Sequence, residues 1–262
     1  MGTPSRIRLP STEWIASAAV TPDELIATAS PVIATVGSGF YFNPGTLSVG
    51  KELGLDGFRW YVLGRGGVLG DVDASVIGSA FGYFKPTLVG KLWDSARAIV
   101  APREAGHRYH LCAAEFGRTT FADVAGLAEY CAAAEKVVAA ADRDGLTLFA
   151  GIAAEPLVDD VAGRAMQLTA VLREFRGSAH LAAVIACGLR ARNAHFVKRP
   201  NDAKSFGYDE IDVVVGPEDV SKLAAAETIT DLIVRPAFSA LSATEADALG
   251  AGAAALQAAL AA

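Results

Sequence analysis

The sequence predicts a mainly α protein, a multi-helix body followed by a small C-terminal region. Three observations carry this. Helix-start signals recur along the chain, and only one segment reads as a strand. Alanine far outnumbers isoleucine, threonine and the aromatics, which favours helix over strand. Hydrophobic residues make up 52% and charged residues 20%, enough for a sizeable core.

Taken in order, Thr21-Pro22-Asp23-Glu24 opens the first helix: Thr as N-cap, Pro at the first helical position, Glu three residues after the cap. Asn43-Pro44 opens the next, closing near Gly54. Asp56 caps a helix over 57–63, which Gly64-Arg65-Gly66-Gly67 ends as a flexible turn. Asp71 begins a helix through Phe81, Pro86 one through Ile99, and 102–116 reads as helical. Thr120-Phe121-Ala122-Asp123 begins the longest clean helix, ending near Asp144-Gly145. Asp160 begins a helix through about Phe175, with Gly177 as a bend before its second half stops at Gly188. Beyond residue 190 the pattern changes, placing a boundary between a body over 1–190 and a C-terminal region over 191–262. There, 190–201 is short and basic, Ile211-Asp212-Val213-Val214-Val215 is the one plausible strand, and 217–231 and 244–260 are helices, the last capped by Thr244.

The formal charge of −6 argues against a general nucleic-acid or anionic-membrane binder, although a local basic patch could hold phosphate. Cys112, Cys131 and Cys187 are odd in number and sit in apolar stretches, which fits small buried thiols in a reducing cytosol. The first ten residues are polar and carry Arg6 and Arg8, with no apolar run of signal-peptide length behind them. The longest uncharged run is broken by Pro31, Gly37, Gly39 and Pro44, so it cannot span a bilayer. A soluble, cytoplasmic chain is expected.

The most informative stretch is Leu172-Arg173-Glu174-Phe175-Arg176-Gly177-Ser178-Ala179-His180, where ionisable residues sit inside an otherwise apolar helix. Burying charge costs several kcal/mol unless it is paired or used. Arg173, Arg176 and His180 share one helical face. That face can line a pocket, with an arginine holding an anionic group and His180 serving as hydrogen-bond donor or base. The plainer alternative is an internal polar network in which Glu174 pairs with an arginine elsewhere and His180 is a satisfied core residue. Arg65 joins the pocket if it converges on that face, and its glycine-rich surroundings can be an anion cradle or a plain helix–helix turn. Glu104, His107, His110 and Glu115 lie at helical spacing but match neither the di-iron nor the zinc-protease pattern, and read as a solvated face. No metal or cofactor is expected. Arg190, Arg192, His195, Lys198, Arg199 and Lys204 form the densest basic run, either a phosphate-contacting patch or a solvated hinge. Nucleophile-elbow, dinucleotide-fingerprint and Cys-x-x-Cys motifs are absent.

Several segments fall in order over most of 40–190: Tyr41-Phe42-Asn43-Pro44, Leu53-Gly54-Leu55-Asp56-Gly57-Phe58 on to Gly64-Arg65-Gly66-Gly67-Val68-Leu69-Gly70, Phe81-Gly82-Tyr83-Phe84-Lys85-Pro86, Gly145-Leu146-Thr147-Leu148-Phe149-Ala150, and the Leu172–His180 stretch itself. On these the chain resembles an actinobacterial family of uncharacterised helical proteins, usually labelled helix-turn-helix or winged-helix-like. The resemblance implies a helical N-terminal body and a small winged-helix-like C-terminal region, here degenerate. Phe206-Gly207-Tyr208 is similar to the start of the family's recognition segment, but acidic and Ala-rich sequence replaces the Arg-rich helix that should follow. Gly37 stands where a histidine is expected, and Gly45 where an acidic residue is.

The resulting expectation is a small-molecule-binding protein of the sensor or sequestration type. Tyr41, Arg65, Arg173, Arg176 and His180 would line its pocket, and its ligand would carry an anionic or polar group. The alternatives are a transcriptional regulator touching DNA through Arg190, Arg192, Lys198, Arg199 and Lys204, and an enzyme using His180 as general base. Nucleic acid is the disfavoured partner, no membrane is expected, and a homodimer is allowed.

Overall fold

The computed structural model describes residues 20–209 and 214–262. Among these it contains twelve α-helices and no strand. They are α1 (Pro22–Gly37), α2 (Pro44–Glu52), α3 (Gly57–Gly66), α4 (Ala74–Phe81), α5 (Pro86–Arg97), α6 (Pro102–Thr120), α7 (Leu127–Ala140), α8 (Thr147–Ile152), α9 (Val161–Ala186), α10 (Ala191–Lys198), α11 (Pro217–Phe238) and α12 (Ala243–Ala261). The mainly α expectation holds. Ile211, Asp212 and Val213 of the expected strand lie outside the described residues, and Val214 and Val215 have no regular structure.

α9 is the axis of the fold. From Ala165 to Leu172 every side chain is buried, as befits a helix covered on all sides. It packs against α1, α6, α7, α8 and α11. α12 closes the bundle against α1 and α7, so Leu249 and Leu256 join Leu25, Ile33, Phe149 and Phe175 in one core. A smaller cluster forms where the end of α9 meets α10 and α11, around Val184, Leu189, Ala194 and Leu223.

Several boundaries differ from expectation. α3 ends within the glycines at 64–67 as expected, but three residues later than read, at Gly66 with Gly67 as its C-cap. The ring of Tyr109 lies where a Cβ on Gly64 would stand, so these glycines let α3 and α6 approach closely. The helix expected from Thr120 starts seven residues later, behind Gly126 in the left-handed region, while α6 runs on to Thr120. α9 passes through Gly177 as one helix of 26 residues. The N-cap of α12 is Ser242, closed by a reciprocal bond with Glu245, and not Thr244. The basic stretch after 190 is helical, as α10, and α11 continues to Phe238. Among the described residues no helix is long and apolar enough to cross a membrane.

Candidate functional site

One side of α9 faces a cavity of about 740 Å³, walled by the turn after α1, by α3 and α4, by α10 with the segment following it, and by α11. Tyr41, Arg65, Arg173, Arg176 and His180 all line it. The structure therefore brings together the five residues expected at a pocket.

Glu174 organises the deep end. Its carboxylate is 2 % exposed and takes a side-on bidentate pair from Arg65, Nε to Oε1 at 2.9 Å and Nη2 to Oε2 at 2.8 Å. Tyr41 Oη donates to Oε1 at 2.8 Å, and Arg173 Nη1 donates to both Tyr41 Oη and Glu174 Oε1 at 2.8 Å. Arg65 also donates to Tyr61 Oη and lies over the Phe81 ring, 4.5 Å from its centroid. Arg173 lies 4.9 Å from the centroid of Tyr41. Burial alone would raise the Glu174 pKa. The charges of Arg65 and Arg173, with hydrogen bonds from Arg65 and Tyr41, overcome it and hold the carboxyl at about 2. Burial also pushes the Tyr41 and Tyr83 phenols well above their ordinary value, so both stay protonated.

At the other end, Arg176 Nη2 donates to Glu227 Oε2 and Asp231 Oδ1 of α11, at 2.9 and 3.0 Å. Glu227 also receives Lys198. Burial opposes its ionisation, but the bonds from Lys198 and Arg176 keep it at about 2. His180 Nδ1 lies 2.9 Å from Thr230 Oγ1. Burial lowers the His180 pKa, with Glu227 pulling the other way.

The plainer alternative is thus met in part, since Glu174 is paired and His180 has a partner. The pairing leaves the cavity open and cationic. Five Lys and Arg side chains line it, against the carboxylates of Glu174 and Glu227. Adding Asp231 still leaves the cations in excess. The Nε groups of Arg173 and Arg176 are buried without a hydrogen-bond partner. The remaining wall is largely aromatic: Phe42 stacks with Tyr61 and Phe84 with Phe206.

The residues of the second expected set differ in their surroundings. Arg190, Lys198, Arg199 and Lys204 are exposed, but Lys198 and Arg199 belong to the cavity and Lys198 is tied to Glu227. Arg192 is half-buried against the Tyr208 ring, 5.6 Å from its centroid. The face around His107 and His110 is not solvated throughout. His107 reaches Glu155, a carboxylate also bound by Arg103, while His110 lies in the core. No three His, Cys, Asp or Glu residues converge among the described residues. The three cysteines are free, Cys112 and Cys131 buried and Cys187 half-buried. Burial pushes both buried thiols up to about 11.

Sequence reasoning missed the α11 wall. Glu227 and Asp231 lie four apart on one helical face with Thr230 beside them, a readable acidic stripe whose partners lie some fifty residues away. It also missed that Tyr61, one turn before Arg65, orients that guanidinium.

A family model matches residues 26–211, from within α1 to beyond α10, and the family it describes is a helix-turn-helix family. The chain belongs to this helix-turn-helix family. The matched stretch holds Tyr41, Arg65, Arg173, Arg176 and His180, whereas Glu227, Thr230 and Asp231 lie outside it. Within the matched stretch, α9 and α10 are two helices joined by a short turn at Gly188, whose φ of 64° suits glycine. No curated protein and no solved structure matches the chain.

Proposed function

We propose that this member of the helix-turn-helix family binds a small, largely aromatic molecule bearing an anionic group, in the cavity beside α9. One observation carries the reading: a cavity of about 740 Å³, within the usual size of ligand sites, is lined by more cationic than anionic side chains. A guanidinium offers paired donors to a carboxylate, and the aromatic wall offers stacking area. Sensor and sequestration roles both follow from such binding.

The test is thermal unfolding with benzoate, 4-hydroxybenzoate, indole-3-acetate, hexanoate and inorganic phosphate. A ligand at a hundred times its Kd stabilises by about 2.7 kcal/mol, a rise of about 5–10 °C for a chain of this size. The control is Gly177→Trp. A Cβ at Gly177 would meet nothing within 4 Å, and the residue lines the cavity. An indole there projects into the site and takes up part of it while replacing a mid-helix glycine. Concentration-dependent stabilisation by aromatic acids, lost in Gly177→Trp at unreduced Tm, is the expected result. No response from wild type, or an equal response from the variant, refutes the reading.

Family membership favours a second activity, nucleic-acid contact through the exposed Arg190, Arg199 and Lys204. Gel shifts on the chain's own promoter at 50 and 200 mM salt test it, because phosphate contacts weaken steeply with salt. Absence of a shift at low salt ends it.

A further inference from the structure

Thr230 is fully buried on α11, and its Oγ1 stands 2.6 Å from the carbonyl oxygen of Ala226 and 2.9 Å from His180 Nδ1. A carbonyl can only accept, so a contact this short commits the hydroxyl proton to Ala226. The Thr230 oxygen then faces the imidazole as an acceptor, and Nδ1 must carry the ring proton. The partner of one ring nitrogen sets the state of the other. Nε2 is therefore left with a lone pair, and it takes no hydrogen bond among the described residues. His180 lines the cavity.

The two carboxylates lining the cavity are already engaged. Both oxygens of Glu174 receive Arg65, and Oε1 also receives Tyr41 and Arg173. Glu227 gives one oxygen to Lys198 and the other to Arg176. The charged groups facing the ring are Arg176 on its own helix, Lys198 on α10, and Glu227 and Asp231 on α11. Burial outweighs the Glu227 charge and keeps the ring neutral at pH 7.

We propose that Thr230 locks His180 in the Nδ1–H tautomer, so that Nε2 enters the cavity as a free acceptor and selects ligands pairing an anionic group with a hydroxyl or N–H donor. The two ligand groups would lie one to two turns of α9 apart, roughly 6–10 Å. A phenolic carboxylate has this chemistry. The selection half of the proposal rests on the ligand reading above, whereas the tautomer is a property of the protein alone.

Two measurements separate them. Long-range proton–nitrogen correlation on full-length protein labelled with ¹⁵N-histidine reports which ring nitrogen is protonated, with His180 assigned from its loss in His180→Gln. The unliganded wild type should show a protonated Nδ1 and a bare Nε2. Thr230→Val removes the acceptor at similar volume and should turn the ring to the Nε2–H form common in water, while Thr230→Ser keeps the lock. Titration calorimetry should then find 4-hydroxybenzoate about tenfold tighter than benzoate on wild type and Thr230→Ser, and the two about equal on Thr230→Val. Protonated Nε2 in the wild type overturns the lock. A preference that survives unchanged in Thr230→Val overturns selection through Nε2. Should neither compound bind while another of the five probes above stabilises the wild type, the selection fails and the cavity reading stands. Should none bind, both fail, and the nitrogen shifts still decide the lock.

Discussion

Replacing Glu174 with glutamine tests the geometry of the site most directly. In the wild type the carboxylate neutralises part of two guanidinium charges in a place water hardly reaches. Its pKa of about 2, against 4.5 for a free glutamate, corresponds to about 3 kcal/mol of stability at neutral pH. That falls at the lower end of the roughly 3–5 kcal/mol lost when one partner of a buried pair is removed. The sign follows from proton binding. Between pH 4.5 and 2 the unfolded chain holds a proton that the folded chain does not. The stabilisation is therefore complete above pH 4.5 and disappears as the pH falls towards 2. Glutamine has nearly the shape of the protonated acid and cannot titrate. Glu174→Gln should lower the urea midpoint at pH 7 by about 1 M, taking a slope of about 3 kcal/mol per M. The gap to wild type should narrow steadily below pH 4.5. A gap that is absent at pH 7, or constant down to pH 3, would show that Glu174 does not hold the two arginines in solution.

Two further substitutions probe other parts of the fold. His110 is buried with neither ring nitrogen hydrogen-bonded among the described residues, and burial, helped by His107, lowers its pKa to about 4. The unfolded chain binds that proton first as the pH falls from 6.5, so His110→Leu should match or exceed wild-type stability at pH 7. It should also remove about 3 kcal/mol of acid sensitivity between pH 6.5 and 4, read from urea midpoints at pH 7 and 4. Gly67→Ala places a Cβ 2.1 Å from the Pro102 carbonyl oxygen and 2.8 Å from the Gly106 nitrogen, both backbone atoms of α6. It should cost about 3 kcal/mol in chemical denaturation, and a loss below about 1 kcal/mol would mean that the end of α3 at Gly67 does not meet α6.

Elements with chemical punctuation were readable from the sequence. Thr21, Asn43, Asp56 and Asp160 cap helices with their own side chains, and Pro86 and Pro102 stand at first helical positions. The polar stripe of α9 stood out because charge in an apolar helix is costly wherever the helix ends up. Glycine misled where it served tertiary contact. Gly64, Gly66 and Gly67 are poor helix formers and resemble a turn, yet they admit Tyr109, Trp93 and the backbone of α6. Their role depends on a helix some forty residues away, and propensity is a local quantity. The cap of α12 is a different failure, since Ser242 and Glu245 have capping-box spacing in the sequence itself. The pairing of Glu174 with Arg65 spans 109 residues, and no local pattern specifies it.

Structural need alone does not account for the cations beside α9. Well-packed apolar residues of similar volume stabilise a core as well as a buried ion cluster or better, so stability gives no reason to keep one. Here Glu174 receives two arginines and Tyr41 while the Nε groups of Arg173 and Arg176 remain unmatched, and the lining keeps a cationic excess. The cationic wall lies within the family-matched residues, whereas Thr230 and the carboxylates of α11 lie beyond them. Under our proposal, attraction for an anion and choice among anions therefore rest on separate parts of the chain. Substitutions at Arg173 should weaken all aromatic acids alike, and Thr230→Val should change only their order.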